Sequence, residues 1–251
     1  MNEFFSDGVR IAYIDEAQAG DPILLMHGFA SNHSVNWVFP QWVKTLTGAG
    51  RWVIAFDSRG HGQSEKLYRP EEYTIPVMAE DARRLLDHLG IARADVMGYS
   101  MGGRIAAVLA LSHPERVHSL VIGGMSDKIV SSAGLGPEIA EALEAPSAAD
   151  VKDEGGKIFR VFAEATRGDL KALAACSRGA RLKLSTAELA RLDLPVLVAV
   201  GTKDDIAGDA RRLAALIPGA RALPIPDRDH NRSVGDPVFK KGVLAFLESR
   251  P

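Results

Sequence analysis

The feature that most constrains the fold is an alternation of short apolar runs with longer amphipathic ones. Residues 23–26, 52–56, 95–97, 119–122, 195–200 and 222–225 read as buried strands. They are near-continuously apolar, as strands covered on both faces must be, and do not alternate as half-exposed strands do. Helical spacing separates them, over 37–46, 75–89, 101–111, 207–217 and 237–247. In the second of these Val77, Met78, Ala82, Leu85, Leu86 and Leu89 fall on one helix face. Strands taking turns with helices predict a mostly parallel, doubly wound sheet. Ahead of it, Phe4-Phe5 and 9–14 flank Asp7-Gly8, a hairpin signal.

One stretch breaks the rhythm. Residues 127–192 contain no good strand, are rich in Ala, Glu, Lys and Leu, and carry Gly134, Gly136, Gly155 and Gly156 as breakers. Three or four helices are expected there. The block is too long for a simple crossover. It is read as a small helical lid (127–192) inserted in a core made of 1–126 and 193–251.

Composition narrows the partners. Hydrophobic residues make up 46% and charged residues 25%, enough for a sizeable core. The net charge of -2 offers no basic face, so nucleic acid is not expected as a partner. No apolar run has membrane-spanning length, and residues 1–8 lack the basic-then-apolar pattern of a signal peptide. A cytoplasmic protein without membrane attachment is the expectation. The lone cysteine, Cys176, sits in an alanine-rich segment and reads as a small core residue.

The strongest chemical signal is Gly98-Tyr99-Ser100-Met101-Gly102-Gly103, directly after one strand and directly before one helix. That setting suits a nucleophilic serine on a sharp strand-to-helix turn, where glycines remove side chains that would collide. His27-Gly28-Phe29 follows the strand at 23–26. The backbone N–H groups of Phe29 and Met101 are the expected donors to a developing oxyanion, with His27 stapling the loop. Asp57-Ser58-Arg59-Gly60-His61-Gly62-Gln63-Ser64 reads as a rigid loop. Asp57 and Arg59 are expected to satisfy backbone groups or each other, and His61 has no metal-spaced partners.

A serine nucleophile needs a base, and the base an orienting acid. His230 follows the last strand in the polar loop Asp227-Arg228-Asp229-His230-Asn231 and is the candidate base. The acid should follow the strand at 195–200; Asp204 is preferred to Asp205, with Asp209 third. The chain order is then Ser, Asp, His. Pocket candidates are Phe29, Asn32, His33, Tyr99 and Met125, with Ile158, Phe159 and Phe162 from the inserted block.

Taken together these motifs resemble the α/β-hydrolase superfamily, along nearly the whole chain. Within it the chain is most similar to small-lidded esterases and the cofactor-free haloperoxidase or perhydrolase group. The resemblance implies an α/β-hydrolase fold: an eight-stranded, mostly parallel sheet with one antiparallel strand near the start, flanked by helices, and a lid after the sixth strand. It implies hydrolysis of a small carboxylic ester by Ser100, Asp204 and His230, with no metal or organic cofactor and a small ester-like molecule as partner. Serine at the elbow disfavours carbon–halogen and epoxide cleavage, for which relatives use aspartate there. Carbon–carbon and lactone hydrolysis stay open, as does a ligand sensor with little turnover. The chain departs from the pattern at Asp229, where relatives often carry glycine. A carboxylate there is placed to raise the His230 pKa or compete for its ring nitrogen.

Overall fold

A computed structural model describes residues 1–250. Eight strands form one sheet: β1 (Asn2–Ser6), β2 (Val9–Glu16), β3 (Pro22–Met26), β4 (Trp52–Phe56), β5 (Ala94–Tyr99), β6 (Val117–Gly123), β7 (Val196–Gly201) and β8 (Arg221–Ile225), in the order β1-β2-β4-β3-β5-β6-β7-β8. Only β2 runs against its neighbours. Asp7 (φ 51°) and Gly8 (φ 81°) are both left-handed, as a two-residue hairpin turn of the mirror-image type demands.

Both sheet faces are apolar because both are covered. Along β3, Ile23 and Leu25 pack to one side with Trp42, Phe239 and Val243; Leu24 and Met26 pack to the other with Leu85, Ile105 and Leu109. Successive residues of a strand point to opposite faces, so near-continuous apolarity follows from burial on both. The cover includes α1 (Trp42–Gly48), α2 (Ile75–His88), α3 (Met101–Ser112) and the last helix of the chain, which carries Phe239 and Val243. Five more helices, α4 (Lys128–Ser131), α5 (Pro137–Glu144), α6 (Glu154–Ala165), α7 (Leu170–Gly179) and α8 (Thr186–Leu189), lie between β6 and β7. The chain ends with α9 (Ala210–Ala214), α10 (His230–Ser233) and α11 (Pro237–Ser249).

Caps explain the helix boundaries. Thr74 accepts the Val77 N–H and so starts α2, with Pro76 in the first turn where no N–H is needed. The helix expected over 37–46 is instead two pieces, a wide turn at Ser34–Val38 and then α1. Pro40 supplies no N–H, and Gln41 is left-handed at φ 66°. The helix expected over 207–217 is shorter, because Asp209 is its N-cap and accepts the Arg211 N–H.

The block between β6 and β7 is tied down by two buried arginines. Arg160 on α6 donates to the carbonyls of Ala142 (3.0 Å), Leu143 (3.3 Å) and Ala145 (2.7 Å), closing the end of α5. Arg104 on α3 donates to the carbonyls of Lys128, Ile129, Ser132 and Leu182, joining both stems of the block to the helix that follows Ser100. Burial, with no carboxylate partner, pushes the Arg104 pKa down to about 10. Cys176 is buried in α7, and burial pushes its thiol up. Among the described residues no helix is long and apolar enough to cross a membrane.

Candidate active site

Strand order reverses at β3: β4 lies on one side and β5 on the other. Loops leaving the carboxyl ends of β3 and β5 therefore diverge and open a crevice between them. His27-Gly28-Phe29 and Ser100 both emerge there.

Ser100 has φ 54° and ψ −115°, a conformation that costs a non-glycine residue about 1–3 kcal/mol. The turn is held closed on all sides. The Ser100 N–H donates to Gly123 O of β6 (2.8 Å). A Cβ at Gly98 would lie 2.1 Å from Gly102 O, and one at Gly102 would lie 2.1 Å from Met26 O. These glycines let the elbow press against itself and against the end of β3.

The loop after β3 is fixed through both backbone polar groups of Gly28. Gly28 O accepts from His27 Nδ1 (2.7 Å) and from the Ser31 N–H (3.2 Å), while the Gly28 N–H donates to buried Asn36 Oδ1 (3.0 Å). The other ring nitrogen of His27 accepts the Ser58 N–H (3.0 Å), so the ring staples two loops as a neutral imidazole. Burial holds its pKa below the usual histidine range. The far side of the Gly28–Phe29 peptide is the Phe29 N–H. Among the described residues neither this donor nor the Met101 N–H has a hydrogen-bond partner. Met101 opens α3, whose first N–H groups have no intrahelical acceptor.

His230 and Asp204 come from the loops after β8 and β7. His230 Nδ1 donates to Asp204 Oδ2 (2.8 Å), leaving Nε2 as the free ring nitrogen. Asp204 Oδ1 accepts the N–H groups of Ile206 (3.0 Å) and Ala207 (2.8 Å), so both oxygens of this buried carboxylate are engaged. Asp205 is exposed and Asp209 caps α9. Asp229 accepts the Arg232 N–H (2.8 Å) as the N-cap of α10. Its carboxylate serves that helix and does not take a ring nitrogen of His230.

Ser100 and His230 line one cavity of about 1060 Å³, with Phe29, Met101, Met125 and Phe159 also in its wall. Among the described residues no hydrogen bond joins the Ser100 hydroxyl to His230. In unliganded hydrolases such pairs are often long and tighten when substrate binds. The cavity extends from the sheet edge under α5 and α6, and Tyr99, Ile158 and Phe162 contribute to it.

Two expectations are corrected here. His33 does not line the cavity. Its buried ring donates to Asp57 Oδ1 (2.8 Å) and accepts from the Ser34 hydroxyl (3.0 Å), because Asp57 is buried and needs donors. Asn32 is outside the wall too. Of the two roles expected for Asp57 and Arg59, the structure shows the first: Asp57 accepts the N–H groups of His33 (2.7 Å) and Gln63 (2.7 Å), and Arg59 donates to Glu72 O (2.7 Å) and forms a two-pronged contact with Asp81 (2.7 Å each) instead of pairing with Asp57. Burial pushes the Asp57 carboxyl up, but hydrogen bonds from His33 and the nearby His27 leave it below the ordinary value. Sequence reading missed Asn36, Arg104 and Ile139 in the wall, and Thr166, whose hydroxyl donates to Ala30 O (2.7 Å). Helical periodicity marks Ile139 only as apolar, and an isolated Asn carries no signal. Among the described residues no His, Cys, Asp and Glu cluster could hold a metal ion.

A mostly parallel sheet of this order, with a serine on a strained elbow at its switch point, is the α/β-hydrolase fold. Residues 21–127 match the family model described as the alpha/beta hydrolase fold, and solved structures match the chain almost throughout. It is similar to a hydrolase from Pseudomonas aeruginosa, with a TM-score of 0.81, 28% identity, and 99% of this chain and 98% of that one covered. It is 29% identical over 257 residues to 3-oxoadipate enol-lactonase 2 of Acinetobacter baylyi, covering 96% of this chain and 94% of that protein. It is 37% identical over 170 residues to 2-hydroxymuconate semialdehyde hydrolase of Pseudomonas sp. CF600, covering 64% and 54% respectively. The chain spans well under half the length of several other curated relatives, 30% in the case of an acetoin-cleaving acetyltransferase component of Pseudomonas putida.

Proposed function

We propose that the protein hydrolyses a small carboxylic ester through an acyl-enzyme, with the block between β6 and β7 acting as a lid. The observation that carries this reading is convergence on one cavity: a strained serine, two N–H donors without partners, and an imidazole whose far nitrogen is held by a buried aspartate.

The chemistry follows from those groups. The Ser100 oxygen attacks the ester carbonyl while His230 Nε2 takes its proton. The carbonyl π electrons move to oxygen, and the N–H groups of Phe29 and Met101 stabilise that charge. Asp204 holds the tautomer with hydrogen on Nδ1 and stabilises the imidazolium. As the C–O bond breaks, His230 returns the proton to the departing alkoxide. A water molecule, deprotonated by His230, then attacks the acyl-enzyme and releases the acid and Ser100.

Lactones are cyclic esters and need no other machinery, and similarity to an enol-lactonase favours including them. Similarity to a 2-hydroxymuconate semialdehyde hydrolase favours a second reading, carbon–carbon cleavage by the same residues. The test is turnover on nitrophenyl esters of graded acyl length, lactones and vinylogous diketones, with Ser100→Ala as blank. Ester or lactone turnover that vanishes in Ser100→Ala is expected. Undiminished turnover in that variant removes the assignment of Ser100, and turnover confined to the diketones favours the second reading.

A further inference from the structure

Tyr99 is the last residue of β5, directly before Ser100, and its hydroxyl is engaged by the protein. It donates to the backbone carbonyl of His230, 131 residues further along (2.5 Å). Its ring is 5.3 Å from the His230 ring and 6.4 Å from that of Phe239, measured between centroids. Tyr99 is 3% exposed, and burial pushes its phenol well above the ordinary value.

The seat for this ring is built into the next strand. A Cβ at Gly123 would lie 2.8 Å from Tyr99 Cδ2, and one at Gly124 would lie 2.5 Å from Tyr99 Cζ. Gly124 also has φ +58°, where a side chain is disfavoured. Two adjacent glycines at the end of β6 thus leave a slot that the tyrosine ring fills. Its hydroxyl is thereby fixed relative to both the elbow and β6.

The backbone beside His230 is held at its neighbours, where Arg228 O accepts the Lys203 N–H (3.0 Å) and Asp229 O accepts the Ser233 N–H (3.1 Å), while Tyr99 holds the carbonyl of His230 itself. His230 opens a four-residue helix after a left-handed Asp227 (φ 57°), and Asp204 grips its ring at one nitrogen only. Its polar tie is the one bond at Nδ1, and its ring packs against that of Tyr99. The distance from Nε2 to the Ser100 hydroxyl therefore depends on where the His230 backbone sits.

We propose that Tyr99 is a positioning residue that ties the His230 backbone to the serine elbow and sets the reach of the imidazole to Ser100. This rests on the reading of Ser100 and His230 given above. It assigns Tyr99 to the nucleophile–base distance and not to recognition of the acyl group.

The experiment compares wild type, Tyr99→Phe and Gly124→Ala. Tyr99→Phe keeps the ring in its slot and removes the donor. Gly124→Ala keeps the donor and displaces the ring. Two readouts are taken: kcat and KM on the best ester of the panel, and the rate of covalent labelling of Ser100 by a fluorophosphonate, which needs no knowledge of the substrate. For Tyr99→Phe, kcat and the labelling rate are expected to fall together by about tenfold or more, with KM within twofold, since an ångström of misplacement costs on the order of a hundredfold. Gly124→Ala is expected to move both in the same direction, and it decides the matter if Tyr99→Phe does not fold. Labelling and kcat within twofold of wild type overturn the proposal. So does a loss confined to KM, which would make Tyr99 a wall of the substrate site. Wild type that is not labelled at all sinks the parent reading of Ser100, and the positioning role with it. Labelled wild type with equally labelled variants sinks only the positioning role.

Discussion

Gly98→Ala isolates the geometry of the elbow from its chemistry. The added methyl would sit 2.1 Å from Gly102 O, 2.3 Å from Gly102 C and 2.6 Å from Gly103 N. All three neighbours are backbone, so no side-chain rotation relieves the contact. Carbon contacts are comfortable at about 3.5 Å, so the elbow must open by roughly 1 Å. It cannot do so freely, because Gly102 is pressed on Met26 O and the Ser100 N–H is bonded to Gly123 O. Overpacking of this kind costs about 1–3 kcal/mol, which in a chain of this size lowers Tm by about 3–10 °C. The same displacement carries Ser100 away from the Phe29 N–H and from His230, and is expected to cost about a hundredfold in kcat. Thermal unfolding and ester turnover measure the two effects on one sample. Gly28→Ala is the matched control: its methyl meets Ser100 Cβ and Tyr99 O at 3.4 Å, ordinary contact, so Tm should hold within about 2 °C. A Gly98→Ala protein with unchanged Tm and turnover within threefold of wild type would refute the tight-elbow argument.

Three further outcomes are expected. Asp204→Asn should lower kcat by about 10⁴ in a folded protein, because the amide no longer enforces hydrogen on Nδ1, whereas Asp205→Asn should be silent; the reverse pattern in a rate assay overturns the choice of acid. Arg104→Met should destabilise by about 2 kcal/mol or more in urea titration, since the carbonyls of Lys128, Ile129, Ser132 and Leu182 lose a donor; a variant as stable as wild type refutes the rivet. Stability should also fall on acidification below pH 6.5. Burial pushes the His61 pKa down to about 3 from 6.5, so between those values the unfolded chain binds a proton that the folded one refuses. The slope is about 1.4 kcal/mol per pH unit from this group, with His27 acting in the same direction, and His61→Phe should reduce it. Urea titrations at pH 7 and pH 5 that give equal stability would contradict this.

The parallel sheet was legible because burial on both faces leaves one unambiguous mark, the near-continuous apolar run. Elements governed by local breakers were read less well. The 37–46 segment has helical spacing throughout, yet Pro40 and a left-handed Gln41 divide it. At the site, Ser100, Asp204 and His230 were legible as types placed after strands, since a strand end fixes where a side chain emerges. The pocket wall was not. Whether His33 faces a cavity or an aspartate depends on Asp57, 24 residues away, needing donors, and no spacing rule encodes that. Likewise the two-pronged Arg59–Asp81 contact and the single Tyr99–His230 hydrogen bond join segments that no local pattern relates. Asp229 was read by its charge, but its place at a helix start decides its partner.

The helical block touches the chemistry at two points already described. Thr166, at the end of α6, bonds to Ala30 O, one residue past the N–H donor of Phe29, and the Phe159 ring lies 6.0 Å from that of Phe29. A chimaera that exchanges this block for another, meant to alter only which molecules are accepted, would therefore also disturb the support of the loop that carries the Phe29 N–H. Variants selected for a new acyl group by changes in α6 should show coupled changes in turnover number, and grafts that retain Phe159 and Thr166 should keep more of it.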